Sequence, residues 1–181
     1  LPSSEEKAAL YKLAVHSFTN IGYEMIGLDH FALSKDSLAI AKNKGELHRN
    51  FQGYTLRGDT DLIGFGVSAI STVGNAFAQN AKELKEYYSR LDNHQPNAKV
   101  GLSLSVDDLI RRDVISSLMC NLAVDKQAIA DKHHIIFDEY FASALNNLEE
   151  LKEDGLIEIT PRYIRVPEPA RIYIRAICAR F

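Results

Sequence analysis

Five glycines fall within residues 48–74, HRNFQGYTLRGDTDLIGFGVSAISTVG, and they limit this chain more than any other feature. Glycine at that density marks backbone that passes close to a neighbour or takes φ values other residues avoid. Apart from Arg49 and Arg57, the stretch carries no formal charge until the Gly58-Asp59-Thr60-Asp61 turn. Residues 62–70 are apolar with small interruptions at Gly64, Gly66, Ser68 and Ala69. Glycine is costly inside helices, whereas in strands it marks bends, so this run predicts a kinked, buried strand. Residues on spacing alone describe a core strand pair joined by a Gly-Asp turn, with no phosphate-loop or dinucleotide fingerprint.

The flanks alternate helix and strand. Ser3 or Ser4 with Glu5 and Glu6 starts a helix, Leu10, Leu13, Ala14, Phe18 and Ile21 form its apolar stripe, and Gly22 ends it. Residues 23–28 follow as a short strand, and Asp29 and His30 come directly after it. Parallel barrels keep their sites just past strand ends, so both are site candidates; the alternative is a turn-capping Asp beside a half-buried His. Ser34 is expected to cap a helix over 35–44 closed by Gly45. Residues 81–91 form an amphipathic helix, and 94–97 make a loop or linker.

From Ser105 the character changes. Ser105-Val-Asp-Asp108 resembles a capping box with Asp in place of Glu. An apolar-striped helix follows, then a short helix capped by Asp125, a longer helix over 137–153 stopped by Gly155, and a hairpin from 156–159 to 163–166. Pro169 sits near the start of a last helix. Together these predict a mostly helical, winged-helix-like domain over 105–181, after a first domain over 1–104.

Composition excludes some functions. With 24 acidic residues against 21 Lys and Arg, bulk charge favours neither a nucleic-acid nor a membrane partner. The helix over 137–153, with Asp154, would be the groove-reading element of a winged helix. It carries six acids against Lys152 alone, the wrong sign for phosphate neutralisation. No apolar run reaches the roughly 20 residues of a membrane span. Two cysteines, Cys120 and Cys178, without paired spacing predict no disulfide framework and a cytoplasmic setting. The six histidines form no HxH or HxxxH metal spacing. Leu1 is not an initiator Met and Phe181 follows no helix stop, which predicts a piece of a longer protein.

HRNFQGYT followed by GDTDLIGFGVSAIS resembles the signature of the oxygen-independent coproporphyrinogen III oxidases, radical S-adenosylmethionine enzymes of haem biosynthesis. The resemblance extends through GYEMIGLDHFAL at 22–33, AQNAKELKEYY at 78–88 and RRDVISSLMCN at 111–121. It implies an α/β fold: the C-terminal part of a partial radical-SAM βα barrel over 1–104, then the helical domain over 105–181. It implies oxidative decarboxylation of two propionates of coproporphyrinogen III to vinyls, giving protoporphyrinogen IX. It also implies two S-adenosylmethionine molecules per full-length enzyme and a 4Fe-4S cluster on a CxxxCxxC run.

That run is absent here, so the cluster is expected in a missing N-terminal part and the chain alone is expected to be inactive. Phe51, Gln52 and Ile70 match residues associated with the second S-adenosylmethionine. Arg49 and Arg57 are candidate clamps for substrate carboxylates, with Asp29 and His30 as further substrate contacts. The haem-binding paralogue of these oxidases reads HN…YW and DYLGLGPGAHS in this region; Phe51-Gln52 and Ile70 depart from it. A winged-helix interaction domain is the reading from a different class. A barrel strand at 23–28 without its parallel neighbour would also leave an edge through which the chain self-associates.

Overall fold

The computed structural model describes residues 2–58 and 60–181. Leu1 and Asp59, the latter in the expected Gly-Asp turn, lie outside the described residues. The chain divides into two compact units, Leu1–Gly58 with Val114–Phe181, and Asp59–Asp113. This division falls elsewhere than the boundary at 104/105 expected from the change of sequence character, because the segment before Gly58 packs with the segment after Val114.

In the first unit, α1 (Ser4–Asn20) opens with a full capping box: Glu6 N–H donates to Ser3 Oγ at 3.2 Å, and Ser3 N–H donates to Glu6 Oε2 at 2.7 Å. Gly22, at φ 90°, ends it as expected. The strands β1 (Tyr23–Gly27) and β2 (His30–Leu33) form an antiparallel hairpin. His30 therefore lies in a strand, and Leu28-Asp29 is a tight turn rather than the long loop of a parallel barrel. The cap of α2 (Ser37–Lys44) is Asp36, whose Oδ1 accepts from Leu38 N–H at 2.8 Å, and not Ser34. A second hairpin, β3 (His48–Asn50) and β4 (Gly53–Thr55), follows. Ile26, Ala32, Ala39, Ala41, Leu47, Tyr54 and Cys120 make one buried cluster of this unit.

The second unit holds an antiparallel sheet of β5 (Ile70–Val73), β6 (Ala76–Asn80) and β7 (Ala98–Ser103), with α3 (Leu84–Asp92) between the last two strands. The kinked strand expected over 62–70 does not form. Only Leu62 bridges Thr72, and Phe65 is 89% exposed. Gly66 at φ 101° and Ser68 at φ 59° turn the backbone out of the extended region. Side chains satisfy the loop instead: Asn80 Nδ2 donates to the Gly64 and Gly66 carbonyls at 3.2 and 2.9 Å, and Gly64 N–H donates to Ser71 Oγ at 3.0 Å.

The helix α4 (Val106–Asn121) leads from the second unit into the first. Its expected capping box is present: Ser105 N–H donates to Asp108 Oδ2 at 2.8 Å and Asp108 N–H to Ser105 Oγ at 3.2 Å. Then come β8 (Ala123–Asp125), α5 (Lys126–His133), α6 (Phe137–Tyr140), α7 (Ala142–Asn146), α8 (Glu149–Glu153), β9 (Glu158–Ile159) and β10 (Tyr163–Arg165). The one long helix expected over 137–153 is thus three short ones, broken at Phe141, which takes φ −100°, ψ 19°, and again at Asn147-Leu148. The sheet order is β8-β10-β9. A 3-10 turn over Glu168–Tyr173 and α9 (Ile174–Cys178) complete the unit. Every strand pairing among the described residues is antiparallel.

Asp125 joins α5 to this sheet. Its Oδ1 accepts from Gln127 and Ala128 N–H at 3.0 and 3.2 Å, and its Oδ2 accepts from Arg162 at 3.0 Å. The Arg162 hydrogen bond, aided by those backbone donors, holds its carboxyl below the usual range. A depressed carboxylate stabilises the fold above about pH 4 and loses that contribution as pH falls through its folded value. Asp125→Ala is expected to cost about 1 kcal/mol at pH 7. Asp125→Asn keeps the cap but not the charge, so urea unfolding should show its deficit against the native chain shrinking between pH 7 and pH 3.

Candidate functional site

A cleft of about 380 Å³ lies within the first unit, lined by Asp29, His30 and Arg49 together with Tyr11, Arg171 and Arg175. It forms where the β1–β2 turn meets the C-terminal 3-10 turn. Leu28 sits at φ 48°, and its carbonyl accepts from Tyr11 Oη of α1 at 3.1 Å. Burial pushes the Tyr11 phenol up, so it stays a donor. His30 Nδ1 and Asp29 Oδ1 are 2.9 Å apart. The His30 ring meets the Tyr54 ring edge-on at 5.2 Å.

The second hairpin contributes Arg49 to the cleft. Arg49 pairs in register with Tyr54, and its guanidinium carbon lies 5.4 Å from the Tyr54 ring centroid. Tyr54 is buried and donates to the Met119 carbonyl at 3.2 Å. Burial raises its pKa, partly offset by Arg49. Phe51 and Gln52 are the two loop residues of this hairpin. Gln52 N–H donates to Asn50 Oδ1 at 2.8 Å, an Asx turn that leaves the Gln52 side chain exposed. Gly53, at φ 139°, closes the turn against His30; a side chain there would stand 3.1 Å from His30 Nε2.

Arg171 is 7% exposed and forms the floor. Its NH1 donates to the Ile26 carbonyl at 3.3 Å and its NH2 to Glu168 Oε2 at 2.9 Å, while its Nε–H has no partner among the described residues. A second cavity, about 390 Å³, lies on its other side, where Glu168 and Lys42 face it. Lys42 Nζ donates to the Met25 carbonyl at 2.7 Å, and burial lowers its pKa.

Three of the residues singled out in the sequence, Asp29, His30 and Arg49, thus share one cleft. Arg57 is exposed and does not line it. Ile70 belongs to the second unit, half-buried in β5. Tyr11, Arg171 and Arg175 also line the cleft and belong to none of the sequence's site motifs. The available signal was the i, i+4 spacing of Arg171 and Arg175 in an otherwise slightly acidic chain.

Among the described residues, no group of three or more His, Cys, Asp or Glu could hold a metal ion. Cys120 and Cys178 are free and buried, and burial pushes the Cys178 thiol up to about 12. Two protonated, buried thiols do not fit a cluster that needs thiolate ligands. No helix among the described residues is long and apolar enough to cross a membrane.

The family described as HemN C-terminal domain matches residues 104–173. The chain is 47% identical over 181 residues to an oxygen-independent coproporphyrinogen III oxidase of Salmonella typhimurium, covering 100% of this chain and 40% of that protein. It is 46% identical to the protein of the same name from Escherichia coli, again over 100% of this chain and 40% of the relative. The chain therefore spans about two fifths of the length of these curated relatives. The solved structure of coproporphyrinogen III oxidase (HemN) from Escherichia coli, a radical SAM enzyme, superposes with a TM-score of 0.93 at 46% identity, over 99% of this chain and 42% of that one.

Proposed function

We propose a role for this chain from the premise that it belongs to the oxygen-independent coproporphyrinogen III oxidase family and carries its C-terminal domain. In the whole protein it forms one wall of a site that oxidatively decarboxylates two propionates of coproporphyrinogen III to vinyls, giving protoporphyrinogen IX. The observation that carries this reading is the meeting of Arg49, from the HRNFQGY motif, with Asp29 and His30, from GLDHF, in one cleft. The two motifs are separate in the chain, and a shared site accounts for both.

S-adenosylmethionine, when bound, supplies the hydrogen abstraction from the propionate side chain. Phe51 and Gln52 hold the second molecule of this cofactor: the Gln amide offers two donors and an acceptor, and the Phe ring offers apolar contact. The same role for Ile70 rests on the resemblance alone. The 4Fe-4S cluster is held by other residues of the whole protein, because Cys120 and Cys178 do not fit it, and the chain by itself is inactive. That residues 1–104 derive from a barrel rests on the resemblance alone, since the strand pairings described in them are antiparallel. Residues 105–181 are read as a winged-helix-like domain, supported by helix α4, strand β8, helices α5 to α8 and the β9–β10 wing in that order. The acidic 137–154 segment argues against DNA as its partner.

In the full-length enzyme, Gln52→Ala and Ile70→Glu should each lower decarboxylation about tenfold or more, the scale of one lost ligand hydrogen bond or one misplaced charge. Iron content should stay at the native level. Native turnover in both variants would remove the assignment of these residues.

A further inference from the structure

Arg171 and Arg175 belong to no motif quoted above, yet they give the cleft its character. Arg171 is more than nine-tenths buried, and only two of its three nitrogens are engaged. A buried Nε–H without a protein acceptor is costly and rare, so a bound group or an ordered water meets it. Among the described residues, neither Arg49 nor Arg175 has a carboxylate within salt-bridge reach. One carboxylate, Asp29, lines the cleft, and it is turned to His30. Three guanidiniums therefore meet two committed acids, Asp29 on His30 and Glu168 on Arg171, and Arg49 and Arg175 keep their charge for a ligand. Leu28 and Ile172 add apolar wall beside them. A small anionic group on a larger apolar body matches this combination.

We propose that Arg49, Arg171 and Arg175 form a carboxylate clamp in this cleft, taking a propionate of the tetrapyrrole. The proposal rests on the reading under the previous heading and adds two substrate-binding residues to it. Guanidinium forks bind a carboxylate with two parallel hydrogen bonds, which fixes the arm's direction as well as its charge. Arg171 is pinned by Ile26 and Glu168 and sets the position; Arg49 and Arg175, both exposed at the rim, close on the ligand.

The test is direct binding to the 181-residue chain, followed by fluorescence, of coproporphyrin III, of its tetramethyl ester and of S-adenosylmethionine. Coproporphyrin III should bind, and the ester, which has the same ring without the charge, should bind at least roughly tenfold more weakly. Arg175→Gln and Arg49→Gln should each weaken the acid about tenfold and leave the ester unchanged. Both positions are exposed, so these variants are expected to fold, and an unchanged thermal melt checks that. Arg171→Lys, which keeps charge but loses the fork, should also weaken the acid. Equal binding of acid and ester, or native affinity in both rim variants, overturns the clamp. So does displacement of coproporphyrin III by S-adenosylmethionine together with loss of S-adenosylmethionine binding in the rim variants, which assigns the clamp to the cofactor's amino-acid end. The two readings fail separately. If Gln52→Ala lowers turnover in the full-length enzyme while Arg175→Gln leaves KM and porphyrin affinity native, the clamp is wrong and the family function stands.

Discussion

Phe141→Ala should lower the stability of the chain by about 3–5 kcal/mol, the scale for truncating a buried aromatic. Phe141 is 1% exposed and sits among Phe137 at 4.7 Å, Tyr140 at 5.0 Å and Phe181 at 5.5 Å between ring centroids. Its backbone is also the break between α6 and α7, so the ring and the bend hold each other. Removing it leaves a cavity bordered by parts of two helices and the C-terminal residue, and these cannot all collapse inward together. At the 2–4 °C per kcal/mol usual for chains of this size, the melting temperature should fall by roughly 10 °C. Far-UV circular dichroism during urea and thermal unfolding reads both values. A loss under about 1 kcal/mol would show that the aromatic cluster is not the centre of this core.

Gly27→Ala should destabilise by about 3 kcal/mol, at the upper end for overpacking. A β-carbon there would overlap Oη and Cζ of Tyr54. Tyr54 cannot swing aside without losing its hydrogen bond to Met119 and its packing against His30, and Arg49 would lose the ring it lies over. The damage therefore reaches the cleft. Tyr54→Phe removes the nearest clashing atom, so the double variant should recover part of the loss, although Tyr54→Phe alone costs about 1 kcal/mol. That favourable coupling is the measurement to make, by double-mutant cycle. Additive losses, or a Gly27→Ala chain as stable as the native one, would show the contact to be slack.

The elements legible in advance are those whose signals are local. Ser3 with Glu6, Gly22, Gly45, Asp125 and Gly155 each act on backbone groups within a few residues, and each lies where its chemistry implied. Ser34 lost the cap of α2 to Asp36 because two good capping residues stood two positions apart. The strand expected at 62–70 failed for a different reason. Its hydrophobicity was real, but Gly66 and Ser68 turn the backbone left-handed, and Asn80, distant in sequence, supplies the hydrogen bonds a neighbouring strand would have given. The cleft was half legible. Arg49, Asp29 and His30 sit in recognisable motifs, whereas Arg171 acquires its role only because its guanidinium reaches the Ile26 carbonyl, 145 residues away in sequence. No local pattern encodes such a meeting.

The chain path has a consequence for synthesis. The first unit is assembled from two separated lengths of chain, up to Gly58 and from Val114, while the second is continuous. As the chain leaves the ribosome, the continuous unit can finish folding while residues up to Gly58 still lack Cys120, which completes the cluster of Ile26 and Tyr54, and Met119, whose carbonyl accepts from Tyr54. The donor from Arg171 to Ile26 can form only when nearly all of the chain has emerged, seconds later at about 5–20 residues per second. The order of synthesis therefore favours closure of the continuous unit before the first unit is complete.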